Sequence, residues 1–234
     1  MPLNTVSAIS LDLDDTLWPF APSVARAEET LQAWLVEHAP ATAALLSAPR
    51  ALALLRDEYE AAHPELSGDY RALRLGSIAA VLEAVGADVA LAKPAYDAFY
   101  AARNNVEFFE DVLPALAWLS ARFPLIAVTN GNADLALTGG KEFFVGALSA
   151  RQFGVAKPEA AIFHAAAKMV SVDPAEMLHV GDDFDLDVVG ATNAGLQAAW
   201  LVRQGAAAPC PPRAGAHVTV SCLLNLCGLL GRPG

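Results

Sequence analysis

The chain is short of positive charge: 15 lysines and arginines face 26 aspartates and glutamates over 234 residues, a formal net charge of −11. Phosphate backbones and anionic lipid surfaces are held by basic patches, so this balance excludes a nucleic-acid polymer or a membrane as the general partner. It leaves room for a small phosphorylated ligand, because a metal ion can bring the positive charge. Cysteine is scarce as well. Cys210, Cys222 and Cys227 all lie near the C-terminus and form no CxxC pair. An odd set of this kind speaks against a disulfide framework or a zinc site and reads as reduced thiols. No basic segment precedes an apolar stretch at the start, so no signal peptide is expected. The longest charge-free stretch, from Arg213 to Arg232, contains His217, Thr219, Ser221 and Asn225, which makes it a poor membrane span. The expectation is a soluble, cytoplasmic protein.

What is present is core. The composition is 55% hydrophobic and 18% charged, which excludes a disordered or low-complexity chain. Val6 to Leu11 is a short apolar run ending in Asp12-Leu13-Asp14-Asp15-Thr16, the pattern of a buried strand. From about Ser23 to Asn104 apolar residues recur at helical spacing instead, predicting about four helices with breaks near Pro40, Pro49, His63-Pro64 and Gly86. Alternation follows. A helix from about Pro114 leads to a strand at 124–128, and one from about Pro158 leads to a strand at 177–180. A helix from about Val188, closed by Gly195, leads to a strand at 198–202. Residues 205–216 read as a loop before a final strand and helix. Strands separated by helices argue for an α/β parallel sheet with helices on both faces, interrupted by an all-helical insert.

In such a sheet, ligands bind beyond the carboxyl ends of the strands. The residues found there are Asp12, Asp14 and Asp15, then Thr129-Asn130-Gly131, then Asp182, Asp183, Asp185 and Asp187. Lys157, one of four lysines against 11 arginines, stands between the second and third groups. Taken singly, each aspartate fits a turn or a helix N-cap. Taken together, two acidic clusters at one sheet edge repel unless a cation sits between them. A hard divalent ion with oxygen ligands, Mg²⁺, is the economical answer.

The ordered set resembles the haloacid dehalogenase superfamily, and within it the Mg²⁺-dependent phosphatases. Asp12-Leu13-Asp14-Asp15-Thr16 is similar to the first family motif, Thr129 to the second, Lys157 to the third, and Gly181-Asp182-Asp183-Phe184-Asp185-Leu186-Asp187 to the fourth. The resemblance implies a Rossmann-like core of residues 1–20 and 106–234, with residues 21–105 as a helical C1-type cap that closes over the substrate. It implies that Asp12 forms an aspartyl-phosphate and that Asp14 acts as general acid and base. Mg²⁺ would be held by Asp12, by the backbone carbonyl of Asp14 and by Asp182. Asp187 and Asp183 would stand behind these ligands, although the adjacent acids leave direct ligation open among Asp182, Asp183 and Asp187. Thr129, the amide of Asn130, and Lys157 would bind the phosphoryl oxygens. Thr16 is a candidate to hold the Asp14 side chain.

For the substrate, the reading is a small phosphorylated metabolite. Bacterial flavin mononucleotide phosphatases and their nucleotidase relatives are the branch the motifs look most like. Arg74 or Arg103 would contact the non-reacting end, the competing reading being surface ion pairs with Glu58 or Glu60. Trp18 would line the pocket or simply pack in the core. The alternatives are a haloacid dehalogenase, which needs no leaving-group acid, a phosphomutase, and a binding protein on an inactive scaffold.

Overall fold

The computed structural model describes residues 3–48, 50–203 and 217–231. The break expected near Pro49, the loop expected at 205–216, and Cys210 lie outside these residues.

Six strands form one parallel sheet: β1 (Ala8–Leu11), β2 (Leu125–Thr129), β3 (Gly146–Ser149), β4 (Met177–Gly181), β5 (Gln197–Leu201) and β6 (His217–Val220). Their order is β3-β2-β1-β4-β5-β6. The central strands β1, β2 and β4 are buried at every position, which is why they read as mostly apolar runs rather than alternating ones. The chain winds outward from β1 through β2 to β3, then returns to the other side of β1 for β4. That reversal opens a crevice at the carboxyl ends of β1, β2 and β4, where the conspicuous residues of the sequence lie.

Two units are distinguishable. One comprises residues 20–106 and 132–138, the other residues 1–19, 107–131 and 139–234. The first unit is helical: α1 (Phe20–His38), α2 (Pro40–Leu45), α3 (Ala51–Ala62), α4 (Tyr70–Ala84), α5 (Ala92–Asn104) and the short α7 (Leu135–Thr138), which follows α6 (Val112–Ser120) in the chain. Ser23, Ala27, Leu31 and Leu35 recur every fourth residue and form the buried stripe of α1. Ala27, Leu31 and Leu35 join Ile78, Leu82, Tyr96 and Phe99 in one core. The short α2 adds a helix to the four expected, because Pro40 occupies its first turn, where a missing N–H costs nothing. Segment 132–138, read from the sequence as part of the core, groups with the helices instead. The Asp134 amide donates to Asn104 Oδ1 at 2.7 Å, tying α7 to the end of α5.

The sheet unit adds α6, α8 (Ala150–Phe153), α9 (Ala160–Met169), α10 (Gly190–Asn193) and α11 (Leu223–Leu230). Ile162 and Phe163 of α9 are fully buried with Ala8, Ile126, Val128, Met177 and Val188. Side chains of this size each contribute about 1.5–3 kcal/mol on burial. Gly195 follows α10 at φ 83°, the left-handed turn expected of it as a helix terminator. Strand β3 was not expected. It is a half-exposed edge strand with a glycine and little apolar character. No described helix is long and apolar enough to cross a membrane.

Candidate active site

The β1 ladder runs one residue past the strand: the Asp12 amide donates to Val180 O at 2.9 Å and so fixes Asp12 beside the end of β4. The chain then tightens. Leu17 N bonds Leu13 O, Asp15 takes a left-handed φ of 57°, and Asp14 bridges to Trp18. This turn brings the Trp18 indole N–H to Asp14 Oδ1 at 2.8 Å. Thr16 Oγ1 donates to Asp182 Oδ1 at 2.9 Å, joining the β1 loop to the β4 loop.

At the end of β2, the Thr129 hydroxyl accepts the Gly131 N–H at 2.9 Å. The Asn130 side chain clamps the Lys157 backbone from both sides, accepting its N–H at 2.8 Å and donating to its carbonyl at 2.9 Å. Held this way, Lys157 buries its ammonium between two carboxylates, with Nζ 2.6 Å from Asp12 Oδ1 and 2.6 Å from Asp187 Oδ1.

Behind β4, Asp187 is engaged on both oxygens. Oδ1 also accepts from His179 Nε2 at 3.0 Å, and Oδ2 accepts from the Asp183 amide at 3.0 Å. His179 in turn meets Ser10 Oγ through Nδ1 at 2.8 Å, across the register pair of β1 and β4. With Nε2 donating to a carboxylate, Nδ1 must accept, so Ser10 donates. Gly181 permits this arrangement, since a Cβ there would come within 2.2 Å of Asp187 Cγ. The Asp183 side chain faces outward and caps the π-helical turn Phe184–Val189, accepting from the amides of Asp185 and Leu186. Burial depresses the His179 pKa against the pull of Asp187, leaving a neutral ring.

Asp12, Asp182 and Asp187 bring carboxylate oxygens within 4.8 Å of one another. Burial pushes the Asp12 carboxyl well above its ordinary range; Lys157 opposes this, while the charges of Asp187 and Asp182 add to it. Burial likewise drives Asp182 up to about 6, against the hydrogen bond from Thr16. It would raise Asp187 too, but Lys157 and His179 hold that group well below its usual range. Lys157 is held above an ordinary lysine by Asp12 and Asp187, in spite of burial. One ammonium among three clustered carboxylates leaves negative charge unbalanced. An all-oxygen donor set with that surplus fits a hard divalent cation.

A family model for haloacid dehalogenase-like hydrolases matches residues 6–195, spanning all of these groups. The chain belongs to this family. Among relatives of this haloacid dehalogenase-like hydrolase, the 5-amino-6-(5-phospho-D-ribitylamino)uracil phosphatase YigB of Escherichia coli K12 is 32% identical over 204 residues, covering 86% of this chain and 85% of that protein. A glyceraldehyde 3-phosphate phosphatase of Methanopyrus kandleri is 31% identical over 203 residues, 82% of each chain. A solved structure described as a 2-haloacid dehalogenase from Pseudomonas syringae pv. Tomato DC3000 aligns with a TM-score of 0.85 at 34% identity, covering 97% of this chain and 98% of that one.

Several residues of this hydrolase sit elsewhere than the sequence suggests. Arg74 lies on the buried stripe of α4, only 3% exposed, donating to Leu52 O at 2.9 Å and to Glu28 at 3.0 Å, with its guanidinium over the Phe99 ring. Its guanidinium is engaged inside the helical unit with Glu28 and Leu52, rather than at the surface with Glu58 or Glu60. Arg103 is 1% exposed in α5, its guanidinium 5.4 Å from the centre of the Phe20 ring, and is likewise interior. Trp18 is fully buried against the edge of Phe108, so it holds Asp14 rather than lining a pocket. Thr16 bonds Asp182, not Asp14.

Other residues gave no sequence signal. Trp200 Nε1 donates to Asp182 O at 2.9 Å. Arg203 donates to Thr16 O through two nitrogens and to Asp111 Oδ1 at 2.7 Å, and Asp111 Oδ2 accepts the Leu223 amide. A charged residue two positions past strand β5, on the same edge as the acids, is the one cue that could have found Arg203.

Proposed function

We propose that the protein is a Mg²⁺-dependent phosphomonoester hydrolase, working in the cytoplasm on a small phosphorylated metabolite through an aspartyl-phosphate on Asp12. The observation that carries this reading is the different setting of two carboxylates two residues apart. Asp12 is buried against Lys157, whereas Asp14 is partly exposed and takes the Trp18 indole N–H. Carboxyls held in such different environments suit a nucleophile and a separate acid/base.

Asp12 attacks phosphorus in line while the bond to the ester oxygen breaks, and Asp14 gives that oxygen its proton, so the alcohol leaves neutral. Asp14, now ionised, takes a proton from water as the water attacks phosphorus. The bond to Asp12 breaks, releasing phosphate and restoring the carboxylate. Lys157 spends two N–H groups on Asp12 and Asp187, and its third is directed to a phosphoryl oxygen. The Thr129 hydroxyl accepts from Gly131, which leaves its own hydrogen to donate to the phosphoryl group beside the Asn130 amide. The carboxylates of Asp12 and Asp182 and the carbonyl of Asp14 would hold Mg²⁺, which would supply positive charge against that of the nucleophile and phosphoryl group. Asp187 orients Lys157, Asp183 shapes the turn, and residues 21–105 act as the cap that selects the rest of the substrate.

FMN and nucleoside monophosphates are the first candidates. FMN carries a phosphorylated ribityl chain, as does the compound in the name of the E. coli relative. The test is phosphate release with Mg²⁺ from p-nitrophenyl phosphate, FMN, nucleoside monophosphates and sugar phosphates. Activity that disappears with EDTA and in Asp12→Asn supports the reading; no release across the panel overturns it.

A second reading, a 2-haloacid dehalogenase, is favoured by the description of the P. syringae structure. Halide leaves without a proton, so that chemistry gives Asp14 no task. Chloride release from 2-chloropropionate, without phosphate release, would establish it.

A further inference from the structure

We infer that Arg203 is a positioning residue for the cation: it anchors the Thr16 backbone so that the Thr16 hydroxyl holds the Asp182 carboxylate in place. Resting on the phosphatase reading, this role goes beyond it, since Arg203 lies outside the four sequence motifs and past the matched residues 6–195.

Strand β5 ends at Leu201, beside β4 in the sheet, and delivers Arg203 to the edge where the acids collect. The Arg203 side chain is only 12% exposed, and its guanidinium carbon lies 3.8 Å from the centre of the Phe109 ring. Nε and Nη2 both donate to Thr16 O, at 3.1 and 2.6 Å, while Nη1 donates to Asp111 Oδ1 at 2.7 Å. Asp111 is itself tied down, since its Oδ2 accepts the Leu223 amide at 2.6 Å. A planar fork stacked on a ring and bonded to two partners keeps little freedom. Lysine, a single point of charge on a flexible stem, cannot reproduce it. Thr16 is fully buried. Its β-branched side chain is stiff at χ1, so fixing the carbonyl also fixes the hydroxyl. That hydroxyl donates to Asp182 Oδ1 at 2.9 Å. The Asp182 backbone is held separately, its carbonyl accepting the Trp200 indole N–H at 2.9 Å. Gripped through both side chain and backbone, Asp182 keeps a carboxylate oxygen within 4.8 Å of those of Asp12 and Asp187.

The consequence is read in Mg²⁺ affinity. Removing the partner that orients a metal ligand costs about 10–100-fold in affinity, so Thr16→Val, which keeps the shape and drops the hydroxyl, should raise the Mg²⁺ Kd by about that factor. Arg203→Lys keeps the charge and loses the fork, and Arg203→Met keeps the stem over Phe109 and loses the charge as well. Acting one bond further out, each should raise Kd by at least about threefold. Removing a positive charge would by itself tighten cation binding, so weaker binding in Arg203→Met reports position rather than charge. In the double variant Thr16→Val/Arg203→Met, Kd should stay within about twofold of Thr16→Val alone, because the arginine acts through a hydroxyl already lost. Titration calorimetry with MgCl₂ measures these values, and far-UV circular dichroism checks that each variant is folded. Arg203→Lys decides the matter if Arg203→Met does not fold. Unchanged Mg²⁺ affinity in Arg203→Lys, or losses that multiply in the double variant, overturn the inference while the phosphatase reading stands. A wild-type protein that binds no Mg²⁺ overturns that reading itself, and the inference with it.

Discussion

Asn130 and Lys157 meet like neighbouring strands: the asparagine side chain accepts the lysine N–H at 2.8 Å and donates to the lysine carbonyl at 2.9 Å, 27 residues away in sequence. The pair sets where the Lys157 side chain starts, and so where its ammonium ends.

Asn130→Asp should therefore lower kcat about 10–100-fold, although no charged group of the phosphoryl site has been removed. Aspartate cannot donate to the Lys157 carbonyl, and a displacement of about 1 Å at a reacting group is enough for a loss of this size. Steady-state kinetics with p-nitrophenyl phosphate would check it; a wild-type kcat would mean the clamp is dispensable.

Gly181→Ala should damage both stability and activity. Its Cβ would fall 2.2 Å from Asp187 Cγ, inside a buried network with no flexible end to yield. Overpacking of this kind costs about 1–3 kcal/mol, and the displaced Asp187 would take Lys157 with it. Denaturant unfolding and phosphate release, measured on the same preparation, would report the two effects.

Magnesium affinity should weaken as pH falls through about 6, the value to which burial raises the Asp182 carboxyl. The sign follows from the ligand form: a carboxylate must be ionised to bind the ion, and a raised pKa keeps the proton competing to higher pH. Below that value the apparent Kd should rise about tenfold per pH unit. Titration calorimetry at pH 7.5, 6 and 5 would test this, with Asp182→Asn expected to bind weakly at all three.

Arg74→Ala should cost about 3–5 kcal/mol of stability, because it leaves Glu28 and the Leu52 carbonyl without their buried partner. Arg74→Met, which keeps the stem over Phe99, should recover part of the loss. Chemical denaturation would measure both; a change in substrate preference without loss of stability would return Arg74 to the substrate.

The acids were legible because buried parallel strands are plain apolar runs and chemistry collects just past their ends. Asp12, Thr129 and Asp182 needed nothing more than that rule. Their supporting residues needed the fold. Ser10 and His179 look like polar interruptions of β1 and β4 until strand register sets them side by side. The indole of Trp18 looks like core until the turn after Asp12 swings it to Asp14. Arg74 reads as a cationic contact because its partner, Glu28, lies 46 residues away on another helix. Strand β3 escaped notice because an edge strand with one exposed side needs few apolar residues.

The link from Arg203 to Thr16 and Asp111, continued by Asp111 to the Leu223 amide, has a practical side. The last helix is moored to the same loop that steadies Asp182, so the tail of the chain is part of the enzyme's chassis. Trimming the protein before β6, as one does to remove an apparently dispensable end for crystallisation or fusion, would cut a guy-rope of the carboxylate cluster while leaving every motif of the sequence in place.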